Sequence, residues 1–105
     1  MYNILIEERA ILEIDSASEY YASLPVNSKK IIADFLNEIN QKINFLKINP
    51  NFQIKIKNYR SIPLRKFPFI IFFLVDESSK TVRILSIFNT HQNTNKYPQT
   101  STSSQ

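Results

Sequence analysis

Residues 67–75 read FPFIIFFLV, nine apolar residues that include one proline, Pro68. A helical membrane span needs about 20 residues, so this run is too short to be one. Its aromatic and β-branched content marks a strand, and the lack of polar alternation marks a strand covered on both faces. Pro68 cannot donate to a ladder and belongs at the strand's start or at a bulge. The rest of the chain has to supply the partners and the covers.

Downstream, Asp76-Glu77-Ser78-Ser79 is a polar turn without glycine, which predicts a four-residue loop rather than a tight two-residue turn. Thr81–Phe88 (TVRILSIF) is the returning strand. Upstream, Phe52, Ile54 and Ile56 alternate with Gln53, Lys55 and Lys57, a half-buried strand with a basic outer face. Ile62 and Leu64 hint at a second alternating stretch. Tyr2–Ile6 is short, apolar and β-branched, and reads as the first strand.

Between that strand and the others the period changes. Ala10, Ile11, Ile14, Ala17, Tyr21 and Leu24 recur every three or four residues from about Glu8, one face of a helix that Leu24-Pro25 ends. Glu7, Glu8 and Glu13 complement its positive N-terminal dipole. Asn27 or Ser28 offers an N-cap for a longer helix with the stripe Ile31/Ile32, Phe35/Leu36, Ile39, Ile43 and Leu46, stopped at Asn49-Pro50. The expected order is β-α-α-β-β-β, an α+β fold with an antiparallel helical hairpin packed on a mostly antiparallel sheet. Residues 2–97 form one domain, and 98–105 (PQTSTSSQ) a polar, flexible tail.

Composition narrows the function. The 105 residues contain no glycine, no cysteine and one histidine. That excludes disulfide frameworks, thiol nucleophiles, cysteine zinc sites, Walker loops, GxGxxG turns and multi-histidine metal cages. No metal and no cofactor is expected. MYNILI at the N-terminus has no basic n-region and is followed by Glu7-Glu8, so a signal peptide is not expected and the location reads as cytoplasmic, without a membrane.

The net charge of +4 is unevenly spread. Residues 1–38 carry a balance of −4, residues 39–105 a balance of +8, and 39–75 hold seven Lys or Arg with no acid. Such asymmetry concerns partners rather than fold. Lys55 and Lys57 are expected on one strand face, Arg60, Arg65 and Lys66 flank Pro63, and Arg83 lies in the last strand. With Tyr59 and Tyr97 these make a basic surface with aromatics for a phosphate-bearing partner, or a sheet face kept wet by its cations. His91 suits proton transfer after the last strand, or is an exposed loop histidine. Asp76 and Glu77 are adjacent turn acids, which are usually solvated.

The strings EERAILEIDSASEYYASL, YRSIPLRKFPFIIFFLVDE and VRILSIFNTHQNTNKY together resemble the RelE/ParE toxin superfamily of bacterial type II toxin–antitoxin modules over about residues 2–97. The most specific part is R-x-h-P-h-x-x-F-P-[FY], here Arg60, Pro63 and Phe67-Pro68-Phe69, then Asp76-Glu77 and a final Tyr97. The FP-aromatic signature is similar to the ParE branch, whose characterised members poison DNA gyrase by binding. Members of the RelE branch cut mRNA on the ribosome with basic residues and often a C-terminal His or Tyr. Here Phe69 stands where that branch commonly has Arg, and Asn89 where many members have His, with His91 two residues later. If the chain is a nuclease, the resemblance implies Arg65, Arg83, His91 and Tyr97 as its set. The ending also departs from a common ParE pattern of basic residues and Pro before Trp. The resemblance implies a cognate antitoxin whose acidic or amphipathic segment folds onto Lys55, Lys57, Arg60, Arg65 and Lys66, with Arg83 and Tyr97 also at the partner surface. A chain that has lost toxicity and keeps only antitoxin binding is the third reading.

Overall fold

The computed structural model describes residues 1–52, 54–92 and 94–98. Its elements are β1 (Asn3–Ile6), α1 (Glu8–Ala22), α2 (Ser28–Ile48), a 3₁₀ turn (Pro50–Phe52), β2 (Ile54–Ile56), β3 (Tyr59–Pro63), β4 (Phe69–Asp76), β5 (Thr81–Asn89) and a second 3₁₀ turn (Thr94–Lys96). This is the expected α+β architecture. The strands form one sheet in the order β1-β5-β4-β3-β2, with β1 parallel to β5 and the other pairs antiparallel. The stretch around Ile62 is a strand of its own, β3, with Leu64 just past its end, which adds one strand to the expected order.

The apolar run is the central strand, as its composition demands. β4 starts at Phe69, so Pro68 lies just ahead of the ladder, where its carbonyl accepts the Thr90 N–H at 2.8 Å. The β4–β5 turn dispenses with glycine by using Asp76, whose Oδ1 accepts the Ser78 N–H at 3.0 Å and the Ser78 hydroxyl at 2.7 Å. Lys80 takes the left-handed position with φ 52°.

β2 is shorter than the alternation implied. Phe52 lies in the 3₁₀ turn, and Lys57 has left the strand for the tight turn to β3, with φ 55°. Lys55 and Lys57 therefore do not share a strand face. A left-handed backbone costs a non-glycine residue about 1–2 kcal/mol, which this glycine-free chain accepts at Asn27, Lys57 and Lys80.

Each face of β4 has its own cover. Ala10 and Ala17 of α1 and Phe35, Ile39, Ile43 and Leu46 of α2 pack on Ile62, Phe69, Ile71, Phe73, Val82, Ile84 and Ile87. Phe35 is the hub, its ring 5.3 Å from Tyr21, 5.3 Å from Phe67 and 5.2 Å from Phe69. Ile11 and Leu36, expected in the buried stripes, are exposed at the edges of those stripes.

The opposite face buries Tyr59, Phe72, Leu85 and Phe88. A bulge makes both β5 patterns possible: Phe72 pairs with Ser86 but Phe73 with Ile84, leaving Leu85 as the extra residue. Pro98, assigned to the tail, is buried, while 99–105 lie outside the described residues. Among the described residues no helix is long and apolar enough to cross a membrane.

Candidate functional site

The five cations expected on one surface fall into two groups. Lys55 and Arg60 stand directly opposite each other across β2 and β3, with Lys57 in the connecting turn. Arg60 Nη1 donates to the Asn51 carbonyl at 3.5 Å. Arg65 lies past the other end of β3, in the loop to β4. There the chain turns back over α2.

Glu38 anchors that turn. Its carboxylate accepts the backbone N–H of Arg65 through Oε2 and that of Lys66 through Oε1 at 3.1 Å. Although charged, Glu38 is 7% exposed, which is tolerable only because both oxygens have donors. Arg65 and Lys66 consequently border a recess of about 330 Å³ on the polar side of α2, beside Asn37, Gln41 and Lys42. Asp34 closes one wall. Its carboxyl is held below the usual aspartate range, chiefly by the hydrogen bond from Lys30 Nζ at 2.9 Å.

His91 lies elsewhere. It is exposed on the lip of a cleft of about 600 Å³ where α1 meets the start of β4 and the end of β5. Ala17, Tyr21, Phe69 and Ile87 floor this cleft, while Tyr20, Asn89 and Gln92 share its lip. The His91 N–H is held by Asn89 Oδ1 at 2.9 Å, so the loop geometry comes from an Asx turn.

Arg83 does not point freely at a partner. Its Nε and Nη2 reach Glu7 Oε2 at 2.8 and 2.7 Å, a tie between β5 and the start of α1. Tyr97 is half-buried, with its ring 4.8 Å from Phe72 and 4.9 Å from Phe88. It covers the second core cluster rather than offering a free stacking platform. Tyr59, read as a stacking aromatic, is 1% exposed and belongs to that cluster too. Burial, and secondarily the nearby Tyr97, push its hydroxyl above the ordinary tyrosine pKa.

The candidate nuclease set is therefore dispersed. Arg65 is over α2, Tyr97 is on the opposite sheet face, and Arg83 and Asn89 are about 20 Å apart along β5, with His91 beyond. These four side chains do not surround one point where a reacting phosphate could sit.

Three acids were missed as structural residues: Glu7, Glu13 and Glu38. Glu7 and Glu13 read as helix-dipole charges, yet each reaches across to β5. Glu38 carried a readable signal, because an acid three residues after Phe35 and beside Ile39 falls within the buried stripe of α2. Such a position demands a donor, and the sequence does not say which.

Comparison with solved structures decides the fold. The chain superposes on a structure of the chromosomal ParDE toxin–antitoxin system from P. aeruginosa with a TM-score of 0.71 and 20% identity, over 85% of this chain and 96% of that one. The fold is that of the RelE/ParE toxins. The isolated E. coli RelE toxin gives a TM-score of 0.56 at 13% identity, covering 89% of this chain and 88% of that chain. The intact E. coli RelBE toxin–antitoxin complex gives 0.55 at 14%, covering 85% and 96%. No protein-family model and no curated protein matches the sequence. At these identities the likeness is one of RelE/ParE backbone architecture, and activity has to be argued from the side chains.

Proposed function

We propose that this chain is the toxin of a bacterial type II toxin–antitoxin module. It acts in the cytoplasm in the ParE manner, by binding and inhibiting an essential target, DNA gyrase, and a cognate antitoxin neutralises it. The observation that carries the choice is Phe69. On the central strand, where the RelE branch commonly places an arginine, this chain has a ring that is 6% exposed and packed on Phe35. A buried ring cannot stabilise charge on a scissile phosphate. The dispersal of Arg65, Arg83, His91 and Tyr97 supports the same reading. The higher TM-score of the ParDE structure agrees with it.

The antitoxin's folding-on-binding segment is assigned to the basic β2–β3 end, where Lys55, Lys57 and Arg60 offer positive charge beside a sheet edge. A ribosome-dependent endoribonuclease is the second reading. His91 on an open cleft favours it, because an exposed imidazole can transfer protons.

Inducing the chain alone in a bacterial host separates the two. Growth arrest with accumulating DNA breaks, unchanged by His91→Ala, is the expected result. Codon-positioned cuts in translated mRNA that vanish in His91→Ala would overturn it in favour of the nuclease. Normal growth at high expression would overturn both and leave a chain that binds antitoxin without toxicity.

A further inference from the structure

Every described residue that lines the recess between α2 and the β3–β4 loop is polar or charged. Protein docking sites have an apolar, desolvated centre. Surfaces that receive nucleic acid are more polar and much more positively charged. The lining therefore argues about the class of occupant.

Its charges argue the same way. Both carboxylates at the recess are already engaged, Asp34 by Lys30 and Glu38 by two backbone amides. Lys42, Arg65 and Lys66 make no salt bridge among the described residues, although Lys66 lies near enough to Asp34 to help lower its pKa. Counting Lys30, four cations face two carboxylates there, so the balance of charge is positive. Asn37 and Gln41, one helical turn apart, add amide donors on the same wall. Because Glu38 fixes the loop through its backbone, the Arg65 and Lys66 side chains start from a held main chain and need little ordering on binding.

We infer that this recess binds a phosphodiester group of a nucleic-acid strand. Lys42, Arg65 and Lys66 neutralise the phosphate, and Asn37 and Gln41 donate hydrogen bonds to its oxygens. Lys42 enters as a contact that the strand-based reading of the basic residues overlooked. The site is separate from the Lys55–Arg60 end and from the His91 cleft. It goes beyond the toxin reading and does not depend on it, because binding is measured without reference to growth.

The test is fluorescence anisotropy of the full chain with a short fluorescein-labelled single-stranded RNA and with a duplex DNA of the same sequence, at several salt concentrations. Lys42→Ala and Arg65→Ala are expected to weaken binding severalfold. Each should also reduce the slope of log affinity against log salt by about 0.7–0.9, the value of one lost phosphate contact. Lys29→Ala, an exposed cation on α2 outside the recess, should change neither. Lys42→Gln removes the charge with little change in bulk and repeats the measurement if Lys42→Ala melts early. Equal losses in Lys29→Ala would reduce the effect to net charge and overturn the site. So would failure of both nucleic acids to bind at low salt, or tighter binding of a labelled polyglutamate peptide.

Discussion

Glu13 Oε1 accepts the backbone N–H of Ile87 at 2.9 Å and the Ser86 hydroxyl at 2.8 Å, so a helix side chain completes the edge of β5. β1 pairs with Thr81–Ile84, and among the described residues the rest of β5 has no neighbouring strand on that side. The other Glu13 oxygen takes Arg9 Nε at 3.0 Å, and the Arg9 guanidinium also donates to the Lys96 carbonyl. One carboxylate thus links α1, the sheet edge and the segment that carries Tyr97. Glu13→Ala is expected to lower stability by about 1–3 kcal/mol, the cost of stranding these donors, as read by urea unfolding. Hydrogen exchange at the Ile87 amide should accelerate in the same variant.

Phe35 is fully buried and packs on the rings of Tyr21, Phe67 and Phe69, so its removal leaves a cavity that the helices and sheet cannot both close. Phe35→Ala should cost about 3–5 kcal/mol. Leu12, on the same hairpin but 57% exposed, is the matched control. Leu12→Ala should stay within about 0.5 kcal/mol in the same unfolding measurement.

The Tyr59 hydroxyl is buried and has no hydrogen-bond partner among the described residues. Removing that oxygen while keeping the ring on Phe72, 5.1 Å away, removes an unpaid desolvation cost. Tyr59→Phe should leave the melting temperature unchanged or raise it. A clear drop would show that the hydroxyl is satisfied in solution.

Glu77 ties three parts of the chain together, accepting from Tyr2 Oη at 2.9 Å, Asn51 Nδ2 at 2.9 Å and Lys80 Nζ at 3.3 Å. These bonds, led by Asn51, hold its pKa below the ordinary 4.5. A carboxylate depressed in the folded state stabilises above its unfolded pKa and loses that contribution as pH falls through the folded value. Stability should therefore decline as pH drops below about 4.5, and Glu77→Gln should flatten that part of the profile. Thermal melts of both chains across pH 2–6 check the sign.

Much of this fold is legible in local patterning. The breaks at Leu24-Pro25 and Asn49-Pro50 bound the helices because proline acts on its immediate neighbours. FPFIIFFLV announces a doubly covered strand because burial on both faces leaves no room for polar alternation. The candidate site was less legible. Arg60, Arg65 and Lys66 are neighbours in sequence, yet the fold sends Arg60 to one end of β3 and turns the other two over α2. The agent of that separation is Glu38, 27 positions upstream of Arg65. Nothing within a window of a few residues reveals such a partner.

By itself, then, the sequence determined the element types, the approximate boundaries and the charge of each half, since these depend on periodicity, proline and composition. Only the tertiary structure decided which charges remain free. Glu7, Glu13 and Glu38, acids of the helical half, are consumed by Arg83, by the edge of β5 and by the β3–β4 loop. Lys42, Arg65 and Lys66 are left facing one recess. Pairing depends on distance in space, and across 27 to 76 residues of sequence only the packed fold sets that distance.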